Sequence, residues 1–115
     1  ILIDYGYNKK IKNFTLQAIY NHKKTSIFEN IGQQDISSHV NFNELIEIAK
    51  QNGLQINEFV SQRDFLIKYG ILERKKKLLT KNSNLNKNLL DEEVDRLINV
   101  DRMGKLFNFL VVSNL

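Results

Sequence analysis

The sequence predicts an α/β fold in which three strands share one open sheet and a helical excursion over residues 61–103 precedes the last strand. Three observations predict this fold. The chain begins with a short apolar run that ends at a polar residue and a glycine, as a buried parallel strand does at its carboxyl edge. The middle of the chain carries apolar residues at helical spacing. The chain closes with an aromatic and β-branched run that is typical of a strand.

Length and composition favour a single globular domain. The chain has 115 residues, of which 42% are hydrophobic and 26% are charged, which is the ordinary range for one folded core. No apolar run approaches the roughly 20 residues that a membrane-spanning helix needs, so we expect a cytoplasmic protein without membrane insertion. Cysteine is absent and only two histidines are present, which argues against disulfides, thiolate chemistry and a structural zinc site.

The net charge of +4 raises the question of a nucleic-acid partner, because clustered Lys and Arg neutralise phosphates. The one dense basic run is Arg74 to Lys77, and it is more simply explained as the solvated side of a helix. Aromatic residues are not interleaved with it, as base stacking would require. We therefore expect no nucleic-acid partner.

The first strand is predicted at Ile1–Ile3, immediately before Asp4-Tyr5-Gly6. A buried parallel strand must pair on both sides, so we expect some of its partner strands to lie outside these 115 residues. Residues 15–20 are predicted to form a short strand. The polar stretch from Asn21 to His39 has weak periodicity and is predicted to be irregular, and so long a connection is usually functional or packed on another part of the protein.

The clearest helix begins at the capping residue Asn41, which is followed three residues later by Glu44 in a capping-box-like pattern. Gly53 supplies the left-handed residue that ends it. Its apolar stripe has the spacing i, i+3, i+4 and i+7 and is formed by Phe42, Leu45, Ile46 and Ala49.

The second half of the chain is predicted to contain a strand, three helices and a final strand. The strand covers residues 54–60; the helices cover residues 61–70, 72–81 and 89–100; a polar loop covers residues 81–88; and the final strand covers residues 106–112. The complete order is strand, irregular segment, helix, strand, helical excursion, strand. That is the order of the last three strands of a Rossmann-like sheet in which the final strand inserts antiparallel beside its predecessor.

Several short motifs occur in this order. They are Leu2-Ile3-Asp4-Tyr5-Gly6-Tyr7, Thr15-Leu16-Gln17-Ala18 with His22 close behind, the run from Gly32 to Phe42, the run from Gln62 to Gly70, and Met103-Gly104 with Phe107. Together they resemble the C-terminal half of the MidA family. The family consists of class I S-adenosyl-L-methionine-dependent methyltransferases, and its mitochondrial relative assembles respiratory complex I by dimethylating an arginine of a core subunit. The resemblance implies a Rossmann-like methyltransferase fold and a protein substrate, such as a subunit of complex I.

The resemblance also implies S-adenosyl-L-methionine as the cofactor. In the family, the glycine-rich turn and the acidic residue that hold this donor lie upstream of the segment that matches here, and this sequence contains no GxG. We therefore expect the donor-binding N-terminal half to lie outside these residues and the chain alone to be inactive. The alternative is a non-catalytic interaction domain, or the remnant of a split gene, that binds the same client protein.

The end of the first strand supplies the first candidate site residues. Asp4, Tyr5 and Gly6 follow a predicted parallel strand, and open α/β sheets bind their ligands at the carboxyl ends of such strands. These residues are therefore candidates for the wall of the site. In the alternative interpretation, Asp4 merely ends the strand and Gly6 merely permits a turn.

The irregular segment supplies the remaining candidates. Asp35 and His39 belong to a motif of the family, and arginine methylation needs a carboxylate that holds the guanidinium by paired hydrogen bonds. Asp35 is the candidate for that role, and an Asx turn or a cap is the alternative. His22 and His39 are candidates for a proton relay near neutral pH, with a structural hydrogen bond as the alternative for each.

Overall fold

The computed structural model describes residues 1–9, 14–81 and 86–114, which form two sheets and four helices. The elements in chain order are β1 (Leu2–Tyr7), β2 (Gln17–Tyr20), β3 (Lys23–Thr25), β4 (Asp35–Ser37), β5 (Val40–Asn41), α1 (Phe42–Gln51), β6 (Gln55–Ser61), α2 (Gln62–Lys68), α3 (Ile71–Lys81), α4 (Lys87–Ile98) and β7 (Phe107–Ser113).

The main sheet has four strands in the order β5-β1-β7-β6. Strand β7 lies between β1 and β6 and is antiparallel to both, so that Phe109 is opposite Ile3 on one side and Val60 on the other. Strand β1 is parallel to β5. The prediction that the last strand inserts antiparallel beside its predecessor is confirmed.

A second, smaller sheet has three antiparallel strands in the order β3-β2-β4. The prediction that residues 21–39 are irregular was therefore wrong. Strands β3 and β4 have three residues each, and a segment that short shows no periodicity. The turn from β2 to β3 places Asn21 and His22 in the left-handed region, with φ values of 48° and 61°, which matches the twist of a two-residue hairpin.

Strand β1 is longer than the sequence predicts, and its first residues are exposed. It continues through Asp4 to Tyr7, and β7 pairs with residues 2–5, but β5 pairs only with Gly6 and Tyr7. Ile1, Leu2 and Ile3 are between 48% and 69% exposed, so the described residues do not bury this strand, and its burial by strands outside these 115 residues stays a prediction. An apolar run predicts that both faces are covered, and the described residues cover each face only in part at this end of β1.

The helix ends follow the sequence signals. The Asn41 side chain accepts a hydrogen bond from the Glu44 backbone N–H at the start of α1, and the Ser61 side chain does the same for Asp64 at the start of α2. After α1, Gly53 adopts a φ of +74°. These contacts are local, and a sequence therefore encodes them directly.

The core lies between the main sheet and the helices. Phe42, at the start of α1, is fully buried, and its ring centroid lies 5.2 Å from that of Phe59 on β6. On α2, the Phe65 ring stacks on Phe109 of β7 at 4.4 Å. Because each of these rings joins a helix to a strand, the aromatic contacts fix both helices against the sheet.

Two side chains at the start of α2 connect this helix to the end of α4. Gln62 is a buried polar residue whose side-chain amide donates to the carbonyl oxygen of Leu97 at 2.8 Å. The Arg63 guanidinium donates to the carbonyl oxygen of Ile98 at 2.7 Å. Both side chains satisfy carbonyl groups at the C-terminal end of α4, which would otherwise lack partners.

The basic run lies on α3, and most of it is solvated. Arg74, Lys76 and Lys77 are exposed, while the Lys75 ammonium lies 2.6 Å from the carboxylate of Asp91 on α4. The interpretation of the run as the solvated side of a helix is confirmed. Residues 82–85 of the predicted polar loop lie outside the described residues. Among the described helices, none has the length and apolar character needed to cross a membrane.

Two lysine–glutamate pairs differ in burial and give a matched test of their contributions to stability. The Glu58 side chain is 11% exposed and pairs with Lys68, whereas Glu47 and Lys50 are both largely exposed. Lys68→Met leaves a buried carboxylate without its partner, so we expect the free energy of unfolding to fall by about 1.5 kcal/mol, within the range for an unsatisfied buried acceptor. Lys50→Met should cost less than about 0.5 kcal/mol because water screens the exposed pair. Urea unfolding of both variants measures this difference, and equal losses would contradict it.

Candidate functional site

A cavity of about 580 Å³ lies between β1 and the small sheet. It is lined by Asp4, Tyr5, Gln17, Ser37, Ser38, His39 and Leu106. Because β5 pairs only with Gly6 and Tyr7, the described strands leave this side of β1 open at Asp4 and Tyr5. The segment from Ser37 to His39 joins the small sheet to β5, which brings its polar residues to the same place.

The Asp4 carboxylate is oriented by a hydrogen bond from the backbone of the next residue. One carboxylate oxygen, Oδ1, accepts a hydrogen bond from the Tyr5 N–H at 2.7 Å. Within the described part of the chain, no donor is found for the second oxygen, Oδ2. The carboxylate is therefore oriented and still able to accept hydrogen bonds from a ligand.

Tyr5 forms an aromatic wall of the cavity. Its ring centroid lies 4.2 Å from that of Phe107, with 35° between the ring planes, and 41% of the residue stays exposed. Leu106, next to Phe107, adds an apolar surface to the same cavity. The cavity thus combines a carboxylate, a flat ring and an aliphatic side chain.

The opposite wall is polar and comes from the small sheet. The Gln17 side-chain amide donates to the Ser37 hydroxyl at 3.3 Å, which connects β2 and β4. The backbone N–H of His39 donates to the Thr15 hydroxyl at 3.1 Å. The His39 imidazole is exposed beside the cavity and is the residue in its lining best suited to exchange a proton near neutral pH.

The structure places Asp4, Tyr5 and His39 in the lining of one cavity. Gly6 is not part of the cavity lining, and it does not form a turn because it lies within β1. A Cβ atom on Gly6 would lie 2.6 Å from the Phe42 ring and would also collide with the Val40 carbonyl oxygen. Gly6 is therefore required for close packing of β1 against β5 and α1.

Asp35 and His22 are not brought to the cavity. Asp35 lies on β4, two residues before Ser37, and is paired with Ile19 of β2. It is not part of the cavity lining, and the described residues provide no hydrogen bond to its side chain that would make it a cap. His22 occupies the left-handed turn between β2 and β3 and is exposed. The catalytic role predicted for Asp35 and the site role predicted for His22 therefore receive no support from the geometry.

Sequence reasoning missed four residues of the cavity. Gln17, Ser37 and Ser38 belong to the quoted motifs, but short polar residues in a segment without periodicity resemble an ordinary loop. Leu106 was assigned only to the last strand. The signal for Gln17, Ser37 and Ser38 is the pairing of β2 with β4, and β4 has only three residues, too few to show a periodicity. No local pattern in the sequence places Leu106 beside the cavity.

Residues 1–9, 14–81 and 86–114 do not form a cradle for S-adenosyl-L-methionine. Such a cradle needs glycines that leave space at the end of a parallel strand. At Gly6 that space is filled by Phe42, and at Gly104 by the carbonyl groups of Ile98 and Asn99. The other three glycines adopt positive φ values in turns.

Comparison with known proteins gives a consistent result. Residues 1–60 match a family described as S-adenosyl-L-methionine-dependent methyltransferases. The chain is similar to the protein arginine methyltransferase NDUFAF7, mitochondrial, of Danio rerio, with 30% identity over 114 residues. This match covers 99% of the chain and 26% of the relative. A homologue of the same name from Caenorhabditis elegans is 33% identical over 79 residues, which cover 69% of the chain and 18% of the homologue.

Two solved structures from Burkholderia thailandensis, members of one superfamily, have the same fold. One superposes with a TM-score of 0.84 and 27% identity and covers 97% of this chain and 32% of its own. The other, crystallised with S-adenosyl-homocysteine, has a TM-score of 0.81 and 27% identity and covers 97% and 30%. The chain thus spans about a quarter to a third of the length of the proteins that it matches over almost all of its residues.

Proposed function

Because the chain belongs to the MidA family of S-adenosyl-L-methionine-dependent methyltransferases, we propose that it forms the acceptor-binding part of a protein arginine methyltransferase. The cavity beside Asp4 carries this proposal, because its lining includes an oriented carboxylate and a flat aromatic ring. The names of the curated relatives, both protein arginine methyltransferases, support it.

Asp4 is the residue that we propose to hold the acceptor. A guanidinium has five N–H donors and no acceptor, so a site for it needs several acceptor oxygens. The Oδ2 atom of Asp4 supplies a charged one, and the hydroxyls of Ser37 and Ser38 supply neutral ones. Holding the guanidinium in one orientation fixes the nitrogen that reacts and removes the entropic cost of aligning it.

His39 is proposed to take the proton that the reaction releases. Methylation replaces one N–H proton of the guanidinium with a methyl group, so a base must accept that proton. The imidazole of His39 lines the same cavity, and an imidazole nitrogen is a common proton acceptor in general-base catalysis. This retains the catalytic role predicted for His39 from the sequence and transfers the role predicted for Asp35 to Asp4.

The donor is proposed to be held by a part of the protein outside these 115 residues. The open edge of β1 at residues 2–5, with exposed Ile1, Leu2 and Ile3, is a suitable place for a strand of that part to pair. S-adenosyl-L-methionine bound to the part outside these residues would supply the methyl group. The 26% share of the Danio rerio protein that this chain spans supports such a division.

The acceptor protein is proposed to be a subunit of respiratory complex I, on the basis of the family resemblance. We also propose a cytoplasmic location. Both curated relatives are named as mitochondrial, so cell fractionation is the direct test, and recovery of the protein in mitochondria would contradict this location. Mass spectrometry of complex I subunits, with and without the gene, identifies the arginine. Unchanged arginine methylation in every subunit would rule out this acceptor.

Asp4→Asn is expected to lower kcat/KM of the full-length protein about 100-fold, because it removes the charge and keeps the shape. The amide oxygen of Asn still accepts the Tyr5 N–H, so we expect the fold and the donor affinity to stay unchanged. Methyl transfer to the acceptor protein, followed with labelled donor, gives the activity. Asp35→Asn is the matched control and should keep near wild-type activity. A loss below threefold for Asp4→Asn, or an equal loss for Asp35→Asn, would refute the role of Asp4.

A donor titration separates this proposal from the alternative, a non-catalytic interaction domain. The absence of a GxG motif from these residues motivates that alternative. If the full-length protein does not bind S-adenosyl-L-methionine, the methyltransferase proposal fails. Co-purification of the client protein would then support the interaction domain.

A further inference from the structure

Tyr5 stands out in the cavity because one side of its ring is supported and the residue is still partly exposed. The Phe107 ring lies 4.2 Å from it, centroid to centroid, and limits the orientations that the Tyr5 ring can adopt. The residue is nevertheless 41% exposed and lines the cavity. A ring that is fixed from behind presents a flat surface at little entropic cost on binding.

The surroundings of this ring favour a planar cation. The Asp4 carboxylate lines the same cavity, and Leu106 offers an aliphatic surface for the stem of a long side chain. A guanidinium is planar, weakly hydrated and able to stack on an aromatic face while its edge donates to a carboxylate. A lysine ammonium is compact and strongly hydrated, and it gains less from a flat surface.

We propose that Tyr5, supported by Phe107, is the residue that selects arginine over lysine in the acceptor cavity. The inference rests on the proposed function, since it assumes that this cavity receives the acceptor side chain. The guanidinium lies against the Tyr5 ring, its edge faces Asp4, and its methylene stem packs on Leu106. Tyr5 is thus a specificity-determining residue that touches the substrate.

The test uses two small probes, N-acetyl-arginine methylamide and N-acetyl-lysine methylamide, with the full-length protein. Dissociation constants come from ligand-observed NMR titrations of the wild type, Tyr5→Phe and Tyr5→Leu. We expect the wild type to prefer the arginine probe about tenfold, the order of magnitude that a partly desolvated stack contributes. Tyr5→Phe should keep this preference because it keeps the ring. Tyr5→Leu should weaken arginine binding about tenfold and lysine binding less than threefold.

Phe107→Leu provides a second variant if Tyr5→Leu does not fold. It keeps Tyr5 and removes the ring that supports it, so the preference for arginine should fall about threefold. Equal weakening of both probes by Tyr5→Leu, an unchanged preference in that variant, or a loss of preference in Tyr5→Phe would overturn the inference.

The outcome is distinguishable from failure of the proposed function. A full-length protein that methylates arginine but whose probe preference does not depend on Tyr5 refutes only the role of Tyr5. A protein that does not bind the donor refutes the proposed function, and the probe titrations still report whether Tyr5 selects the guanidinium.

Discussion

Gly6→Ala is expected to lower the free energy of unfolding by about 3 kcal/mol, the upper range for overpacking a closed site. The new methyl group would lie 2.6 Å from the Phe42 ring and would also overlap the Val40 carbonyl oxygen. The ring belongs to a fully buried residue, and the carbonyl belongs to backbone paired with β1. Moving either neighbour alone would break its other contacts. The overlap is therefore relieved only if β5 and α1 shift away from β1.

Gly53→Ala is the matched control for this substitution. Gly53 has a φ of +74°, and a Cβ atom there has no heavy atom within 4 Å among the described residues. Its cost is therefore only the conformational one, about 1 kcal/mol. Urea unfolding of the two variants compares the packing cost with the conformational cost. If both variants lose the same stability, the close approach of Phe42 to Gly6 does not limit the packing.

The main sheet was largely predictable from the sequence because its signals are local. Asn41 and Ser61 cap helices through contacts three residues away, and the final aromatic run forms β7. The end of β1 was not predictable. Asp4 and Gly6 resemble strand terminators, but Asp4 is opposite Asn108 and Gly6 is opposite Val40, and both partners are distant in sequence.

The candidate site was predictable only on its β1 side. Asp4 and Tyr5 were identified because they follow an apolar run, and His39 because it lies in a family motif. The opposite wall depends on the pairing of Gln17 with Ser37 across the small sheet. Three-residue strands depend on tertiary contacts for their formation, so their register and the cavity beside them are absent from any local pattern.

Phe42→Ala is expected to lower the free energy of unfolding by about 4 kcal/mol, as truncation of a fully buried aromatic residue does. Phe42 is 0% exposed, packs on Phe59 at 5.2 Å, and fills the space that Gly6 leaves open. Because the same ring supports the strand that carries Asp4 and Tyr5, its loss should also weaken the arginine-probe binding proposed for the cavity.

Phe28→Ala controls for the removal of a phenylalanine as such. Phe28 is 80% exposed, so its truncation should change stability by less than about 0.5 kcal/mol. Combining Gly6→Ala with Phe42→Ala tests the steric explanation further, since the alanine methyl group could then occupy the space of the missing ring. The double variant should cost at least about 1 kcal/mol less than the sum of the single variants, because contacting residues are not additive. Additive losses would mean that the Val40 carbonyl oxygen alone limits the size of residue 6.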